Sequence, residues 1–442
     1  MNALLAALAV IIGAAVALTV QGGASAVLFC AVVAFLAGIV IPQVKERREF
    51  LLQLFVGGLL VRMLVGTLIY VLSLQDFFGG DAITYDNYGN ALRYSWTGDA
   101  VAVGFAGEWG QIGGGWGMLY LVAGIYTMLG RNMLAVQFFN AVIGAATAPV
   151  IFLCARHIFR NLRVAQLAGF SVAFYPSLVL WSSQGLKDGP IVFLLAVIML
   201  ATLELGARFN AKYAVVLMLA LFAVLSLRFY VFYMAVAAVA GAFLVGMRPQ
   251  GAQGLARQLL IVFALGLGLT YLGVLRTASQ QVETFGNLQA VQRSRSDLAQ
   301  SASSGFGQDV DVSTTTGALT VIPVGMIYLL FAPFPWQIAN LRQSITIPEM
   351  VIWWGSFPLL VVGVWFTLKY RLRQAVPILI FTSMLTLAYS VFQGNVGTAY
   401  RQRSQILVFY FIFVAVGAVL LKERQENRKR EGQAAKQAAV ES

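Results

Sequence analysis

Among the polar stretches between the apolar runs of this chain, four carry ionisable residues of the kind used in group transfer. The first, GGDAITYDNYGNAL at 79–92, sets Asp81 and Asp86 among Tyr85 and Tyr88, just past the apolar run from Leu51 to Leu74. Gly79 and Gly80 break a helix, and Asp81 stands where it can cap the next one, beginning at Ala82. A carboxylate held rigidly beside apolar walls can also act as a general base, because burial and neighbouring charges tune its pKa. Asp81 is the first candidate for that base and Asp86 the second, with Asp76 and Glu108 behind them. On a helix over 82–94, Tyr85, Tyr88 and Leu92 share one side while Asp86 points elsewhere.

The other three stretches supply cations. SSQGLKDG at 182–189 places Lys187 next to Asp188, ahead of Pro190. This is a turn with a helix cap, or a lysine facing an anionic partner. Arg228 is the single charge between two long apolar runs, AVVLMLALFAVLSL and FYVFYMAVAAVAGAFLVG. A charge held in hydrocarbon costs about 2.5–3.5 kcal/mol on insertion scales, so it snorkels to the interface or faces a cavity or partner. Finally, NVGTAYRQRSQ brings Arg401 and Arg403 to the start of the last apolar run. The planar guanidinium fork suits a phosphate, to which it donates two parallel hydrogen bonds.

Together these residues fit transfer from a lipid phosphate carrier. A carboxylate would take the proton of an acceptor hydroxyl, and Lys187, Arg228, Arg401 and Arg403 would stabilise charge on the departing phosphate. Tyr85, Tyr88 and Glu108 are the candidate contacts to sugar or acceptor. Trp109 and Trp116 suit a sugar ring as well, although packing explains any one of these aromatics equally well.

The elements that must position these groups are membrane helices. The chain has 442 residues, of which 59% are hydrophobic and 11% charged, with a mean hydropathy of +0.79. Apolar segments recur at 3–20, 25–42, 50–74, 113–130, 132–154, 164–181, 189–206, 211–226, 229–246, 257–275, 317–334, 351–368, 374–392 and 405–421. The formal charge of +12 comes from short clusters between them, KERRE at 45–49, ARHIFRNLR at 155–163, KYRLR at 369–373 and KERQENRKR at 422–430. That is the positive-inside pattern, with contact to anionic lipid heads, and no nucleic-acid partner is expected. Cys30 and Cys154 lie in separate apolar runs, so no disulfide is expected. ASA at 24–26 resembles a cleavage site, but the preceding residues lack a basic region, and a retained first helix is expected.

If all fourteen segments crossed, the basic loops around Arg156, Arg160, Arg163, Arg208, Lys212, Arg248 and Arg257 would face outward. The conflict disappears if 113–130, which follows GGGWG, and 317–334, which carries Pro323 and Pro333, do not cross. The expectation is an all-α polytopic membrane protein with about twelve transmembrane helices and two interfacial or re-entrant external segments. A single transferase domain covers 1–421, with a first external loop at 76–131 and a second external region at 276–350, followed by a basic tail at 422–442. Both termini then lie in the cytoplasm, and the four polar stretches face outward from a plasma (inner) membrane.

GGDAITYDNYGNAL, YLVAGIYTMLGRNMLAVQFFNAVIGA (120–145), YPSLVLWSSQGLKDGPIVFLLAVIML (175–200) and GTAYRQRSQILVFYFIFVAVG (397–417) resemble the GT-C superfamily of integral-membrane glycosyltransferases. That class includes the protein O-mannosyltransferases and the aminoarabinose transferase acting on lipid A. The resemblance implies inverting transfer from a polyprenyl-phosphate-linked sugar to a glycan, lipid or protein acceptor in cell-envelope assembly, with Asp81 as base. The acidic pair and the Lys-Pro-Pro stretch of the family are missing, and EWGQIGGGWG (108–117) stands in their place. Two other classes stay open. A polysaccharide polymerase or ligase with a lipid-pyrophosphate donor would keep its essential acid elsewhere, for instance in 276–316. A lipid or solute transporter would show charges at mid-membrane on discontinuous helices. DVD at 309–311 has the form of a metal–nucleotide motif, and a divalent cation is left open as cofactor. There is no P-loop, dinucleotide fingerprint or serine elbow.

Overall fold

The structure, a computed structural model, describes all residues except 1–2, 42–45, 100, 105–114, 247–286, 301–304, 307–310, 339 and 442. The described residues are overwhelmingly helical, and their only extended pairing is a single bridge between Gly305 and Asn395. Thirteen of the fourteen apolar segments are helices, and the other, 257–275, lies outside the described residues. Among the described residues, seven helices are long and apolar enough to cross a membrane: Gly23–Val40, Arg48–Val71, Met133–Phe159, Asp188–Ala207, Ile347–Tyr370, Leu372–Phe392 and Ser404–Ala434. An eighth span is made if Leu162–Phe174 and Pro176–Ser182, bent by 53°, count as one. Among the described residues the expected number of twelve is not reached by that criterion, because five further apolar helices are shorter. Among them are both segments expected not to cross, Trp116–Leu129 with 14 residues and Thr315–Phe331 with 17. At about 1.5 Å per residue, these fall short of a hydrocarbon core about 30 Å thick.

The helices weave between two ends. Arg156 forks onto Glu46 at 2.6–3.0 Å, and Arg163 reaches Glu426 at 3.1 Å, so the basic segments gather at one end. The polar stretches holding Asp81, Lys187, Arg228 and Arg401 stand at the opposite tips of the same helices. Met133–Phe159 is the central rod, buried along most of its length and packed by Gly23–Val40, Arg48–Val71, Leu162–Phe174 and Asp188–Ala207.

The bend at 175–176 has a local cause. Pro176 has no N–H, so the carbonyl of Val172 loses its helical partner, and Tyr175 is pushed into an extended conformation. Arg62, a fully buried charge that the sequence reading passed over, repairs the break. It donates to the carbonyls of Ala173 at 2.7 Å and Val172 at 3.4 Å, and to the Ser182 hydroxyl at 2.8 Å. With no water in the bilayer, freed backbone groups must find such partners. The bend carries Trp181 and Ser182 towards the polar end.

Ile347–Tyr370 crosses Ser404–Glu441 at glycines. A Cβ on Gly363 would lie 1.9 Å from the Phe413 carbonyl oxygen, and one on Gly417 would lie 2.1 Å from that of Leu359. Small residues let membrane helices approach to backbone contact. Gly417→Val should therefore force the helices apart and destabilise the protein by about 1–3 kcal/mol. Gly355→Ala, whose Cβ would meet nothing within 4 Å, should change stability by less than about 1 kcal/mol. Thermal unfolding in detergent compares the two, and equal shifts would remove the close crossing as a determinant.

Candidate active site

Asp81 opens the helix Asp81–Ser95 after Gly79 and Gly80, whose φ values of 127° and 71° glycine adopts without strain. The expected cap does not form. No side chain caps this helix, because the Asp81 carboxylate is taken by Arg401, whose Nη1 donates to Oδ2 at 2.6 Å. Arg401 sits on the short helix Val396–Gln402, started by Asn395, which accepts from the Gly397 N–H at 2.8 Å. The other edge of its guanidinium meets Asp188 Oδ2, from Nε at 2.7 Å and Nη2 at 2.6 Å. Asp188 is completely buried at the first turn of Asp188–Ala207 and does not cap it either. Arg228 Nη2 approaches its Oδ1 at 3.5 Å. The result is a ladder of alternating charge, Asp81–Arg401–Asp188–Arg228, drawn from four separate helix ends.

A cavity of about 580 Å³ lies against this ladder, lined by Asp81, Lys187, Arg228 and Arg401 together with Trp181 and Tyr400. Among the described residues Lys187 has no carboxylate partner, and its ammonium lies 6.0 Å from the Tyr85 ring centre. Burial, and after it the nearby Arg228, pushes its pKa down to about 8. Arg228 has a buried Nη1 with no hydrogen-bond partner among the described residues. Arg342, on the turn Leu341–Ser344, adds a fourth cation to the lining, its guanidinium 5.2 Å from the Phe77 ring centre. Four cations thus face two carboxylates, and the surplus positive charge suits an anionic group.

The remaining candidates are placed elsewhere. Asp86 is buried away from the cavity lining, accepting from the Tyr126 hydroxyl and the forked guanidinium of Arg131. It fastens Asp81–Ser95 to the neighbouring helices. Arg403, expected beside Arg401, is not at the cavity. It is fully buried and donates to the carbonyls of Leu330 at 3.0 Å and Ala332 at 3.1 Å. These groups, at and just beyond the C-terminal end of Thr315–Phe331, need donors, as helix ends do. Tyr85 is buried beneath Lys187, and Tyr88 is half-buried in the main core. Asp76 is exposed and does not line the cavity. Glu108 and Trp109 lie outside the described residues, as do Asp309 and Val310 of DVD. No cluster of three or more His, Cys, Asp or Glu side chains that could hold a metal occurs among the described residues. Asp81 at the cavity and Asp188 behind it, each already held by a guanidinium, do not fit a divalent-cation site.

The sequence reading took Asp188 for a cap and did not single out Arg342. The available signal was SSQGLKDG itself, where a carboxylate stands beside a lysine at the start of an apolar run. Its partners, 213 and 40 residues away, left no local trace.

Removing one member of a buried pair strands the other charge. Asp188→Asn should cost about 3–5 kcal/mol. Asp81→Asn removes a side chain that is 47% exposed, and should cost at most about 1 kcal/mol. Unfolding of both variants in detergent measures the difference, and equal losses would show that Asp188 is not the centre of the ladder.

No family model matches the chain, and no curated protein matches it. Solved structures similar to it include two membrane proteins. One is ArnT from Cupriavidus metallidurans bound to undecaprenyl phosphate, with 16% identity and a TM-score of 0.42 over 72% of this chain and 52% of that one. The other is the Archaeoglobus fulgidus oligosaccharyltransferase in complex with Zn and sulfate, with 16% identity and a TM-score of 0.43 over 71% of this chain and 41% of that one. The chain spans about half or less of the length of these proteins.

Proposed function

We propose that the chain is a membrane glycosyltransferase of the GT-C kind its sequence resembles. It moves a sugar from a polyprenyl-phosphate carrier to an acceptor on the face of the plasma membrane opposite the basic loops. The observation that carries this reading is the meeting of Asp81 with Lys187, Arg228 and Arg401 around one cavity. The donor's phosphodiester docks on the cations that line the cavity, among which Lys187 has an ammonium free of any carboxylate partner among the described residues.

Asp81 accepts the proton of the acceptor hydroxyl as that oxygen attacks the anomeric carbon from the side opposite the phosphate. The bond from that carbon to the phosphate oxygen breaks, its electron pair stays on the oxygen, and polyprenyl phosphate leaves. A single displacement of this kind inverts the anomeric centre. The leaving group gains negative charge during the reaction, so fixed cations stabilise the transition state more than the bound donor. Without donor, Arg401 holds Asp81. An arriving phosphate competes for the same guanidinium and releases the carboxylate to act as base.

The test is a reconstituted assay with labelled polyprenyl-phosphate sugars, reading lipid-phosphate release. Asp81→Asn should lower turnover by about 10²–10⁴-fold, and Arg401→Ala should weaken donor binding. Near wild-type turnover in Asp81→Asn would remove it as the base. Release from a polyprenyl-pyrophosphate sugar alone would replace this reading with a polymerase or ligase.

A second expectation follows from Lys187. In the free protein its pKa lies near 8 against an ordinary 10.5, so the unfolded chain holds this proton more tightly. The contribution of Lys187 to stability therefore rises with pH between those values. Donor binding runs the other way, because it uses the charged form. Affinity for a short-chain polyprenyl-phosphate mannose, a diester of constant charge, should be flat below about pH 7 and fall as pH rises through about 8. Lys187→Met should bind more weakly at neutral pH and lose that dependence. An unchanged pH profile in the variant would exclude Lys187 from the phosphate site.

A further inference from the structure

A second cavity, of about 200 Å³, shares Pro333, Gln343 and Val396 with the first and adds walls from Gly305, Phe306, Tyr328, Phe334 and Gln337. Its described lining has no charged side chain. Aromatic rings and amides dominate it instead. Phe306 stacks on Tyr328 at 4.2 Å between ring centres, and Phe334 meets Tyr328 edge-on at 5.6 Å. Gln337 Nε2 donates to the Tyr328 hydroxyl at 3.1 Å. Apolar rings with a few placed polar groups make a site for a small neutral ligand bearing both hydroxyls and C–H faces, which is a saccharide. The volume is below the ~300–1,000 Å³ of drug-sized sites and so suits one ring-sized group.

The chamber is also held in place relative to the charge ladder. Arg403, two residues from Arg401, grips the carbonyls of Leu330 and Ala332, directly before Pro333. The donor's phosphate belongs with the cations of the first cavity, and the lining of the chamber has none to hold it. We propose that the side chamber is the subsite for a neutral saccharide ring of the acceptor, a proposal that rests on the transferase reading above.

The test uses the full chain in lipid nanodiscs and saturation-transfer NMR with the methyl glycosides of mannose, glucose, galactose and N-acetylglucosamine. At least one should receive saturation from the wild type. Phe334→Ala and Gln337→Ala should each weaken that binding about five-fold or more, while binding of polyprenyl-phosphate mannose changes less than two-fold. Lys187→Met should weaken binding of the lipid donor and keep the glycoside, so that a failure of the donor site and a failure of the chamber read differently. The proposal is overturned if no glycoside receives saturation, if both chamber variants bind as the wild type does, or if glycoside binding disappears in Lys187→Met.

Discussion

A carboxylate sealed inside an apolar helical bundle has to be answered by cations, and Asp188 is such a carboxylate. It is completely buried, and its desolvation is offset only if its oxygens meet charged donors in good geometry. Arg401 supplies two such contacts and Arg228 a longer one. This requirement fixes three otherwise independent pieces of chain: the short helix carrying Arg401, the break between two helices at Arg228, and, through Arg401, the start of the helix at Asp81. The cavity is bounded by groups whose positions are set by one buried charge.

Other buried arginines obey the same rule with a different partner. Arg62, Arg295 and Arg403 are almost completely buried and pair with no carboxylate among the described residues. Each donates to backbone carbonyls where a helix breaks or ends. Arg62 serves the break made by Pro176. Arg295 reaches Val391 at 3.1 Å and Gln393 at 2.6 Å, at the end of Leu372–Phe392. Arg403 serves the end of Thr315–Phe331. Arginines spent on orphaned carbonyls are structural. Those set against carboxylates at a cavity, Arg401 and Arg228, keep a charge that a competing anion can share.

That distinction marks how far the sequence could be read. Hydropathy located the helices, because burial and lipid exposure depend on composition over a dozen or more residues. The cations opposite the basic loops stood out because their expected outward placement breaks the positive-inside pattern. Pairing was not legible: Asp81 and Arg401 are 320 residues apart, and a buried aspartate at a helix start looks like a cap until its partner is known. Arg401 and Arg403 looked equivalent, yet residues two apart on a helical turn point to opposite sides, so one faces the cavity and the other the core. Asp86 diverged from Asp81 in a similar way, as its position on the helix suggested. Arg62 was hidden inside a continuous apolar run, where a single charge barely changes the hydropathy.

The ladder also bears on the order of events in the proposed reaction. Asp81 and Asp188 balance Arg401 and Arg228, which leaves Lys187 and Arg342 as the positive surplus at the cavity. A phosphodiester donor carries one negative charge, and the released phosphate monoester carries about −1.5 to −2 near neutral pH. The fixed surplus therefore matches the product side of the reaction more closely than the donor side, which is the asymmetry that lowers a barrier. It also means that Arg401 cannot serve Asp81 and the phosphate with the same N–H at once. The exposed position of Asp81, against the sealed position of Asp188, decides which carboxylate yields. In the proposed reaction Asp188 stays as the anchor, and Asp81 is the acid that donor arrival sets free.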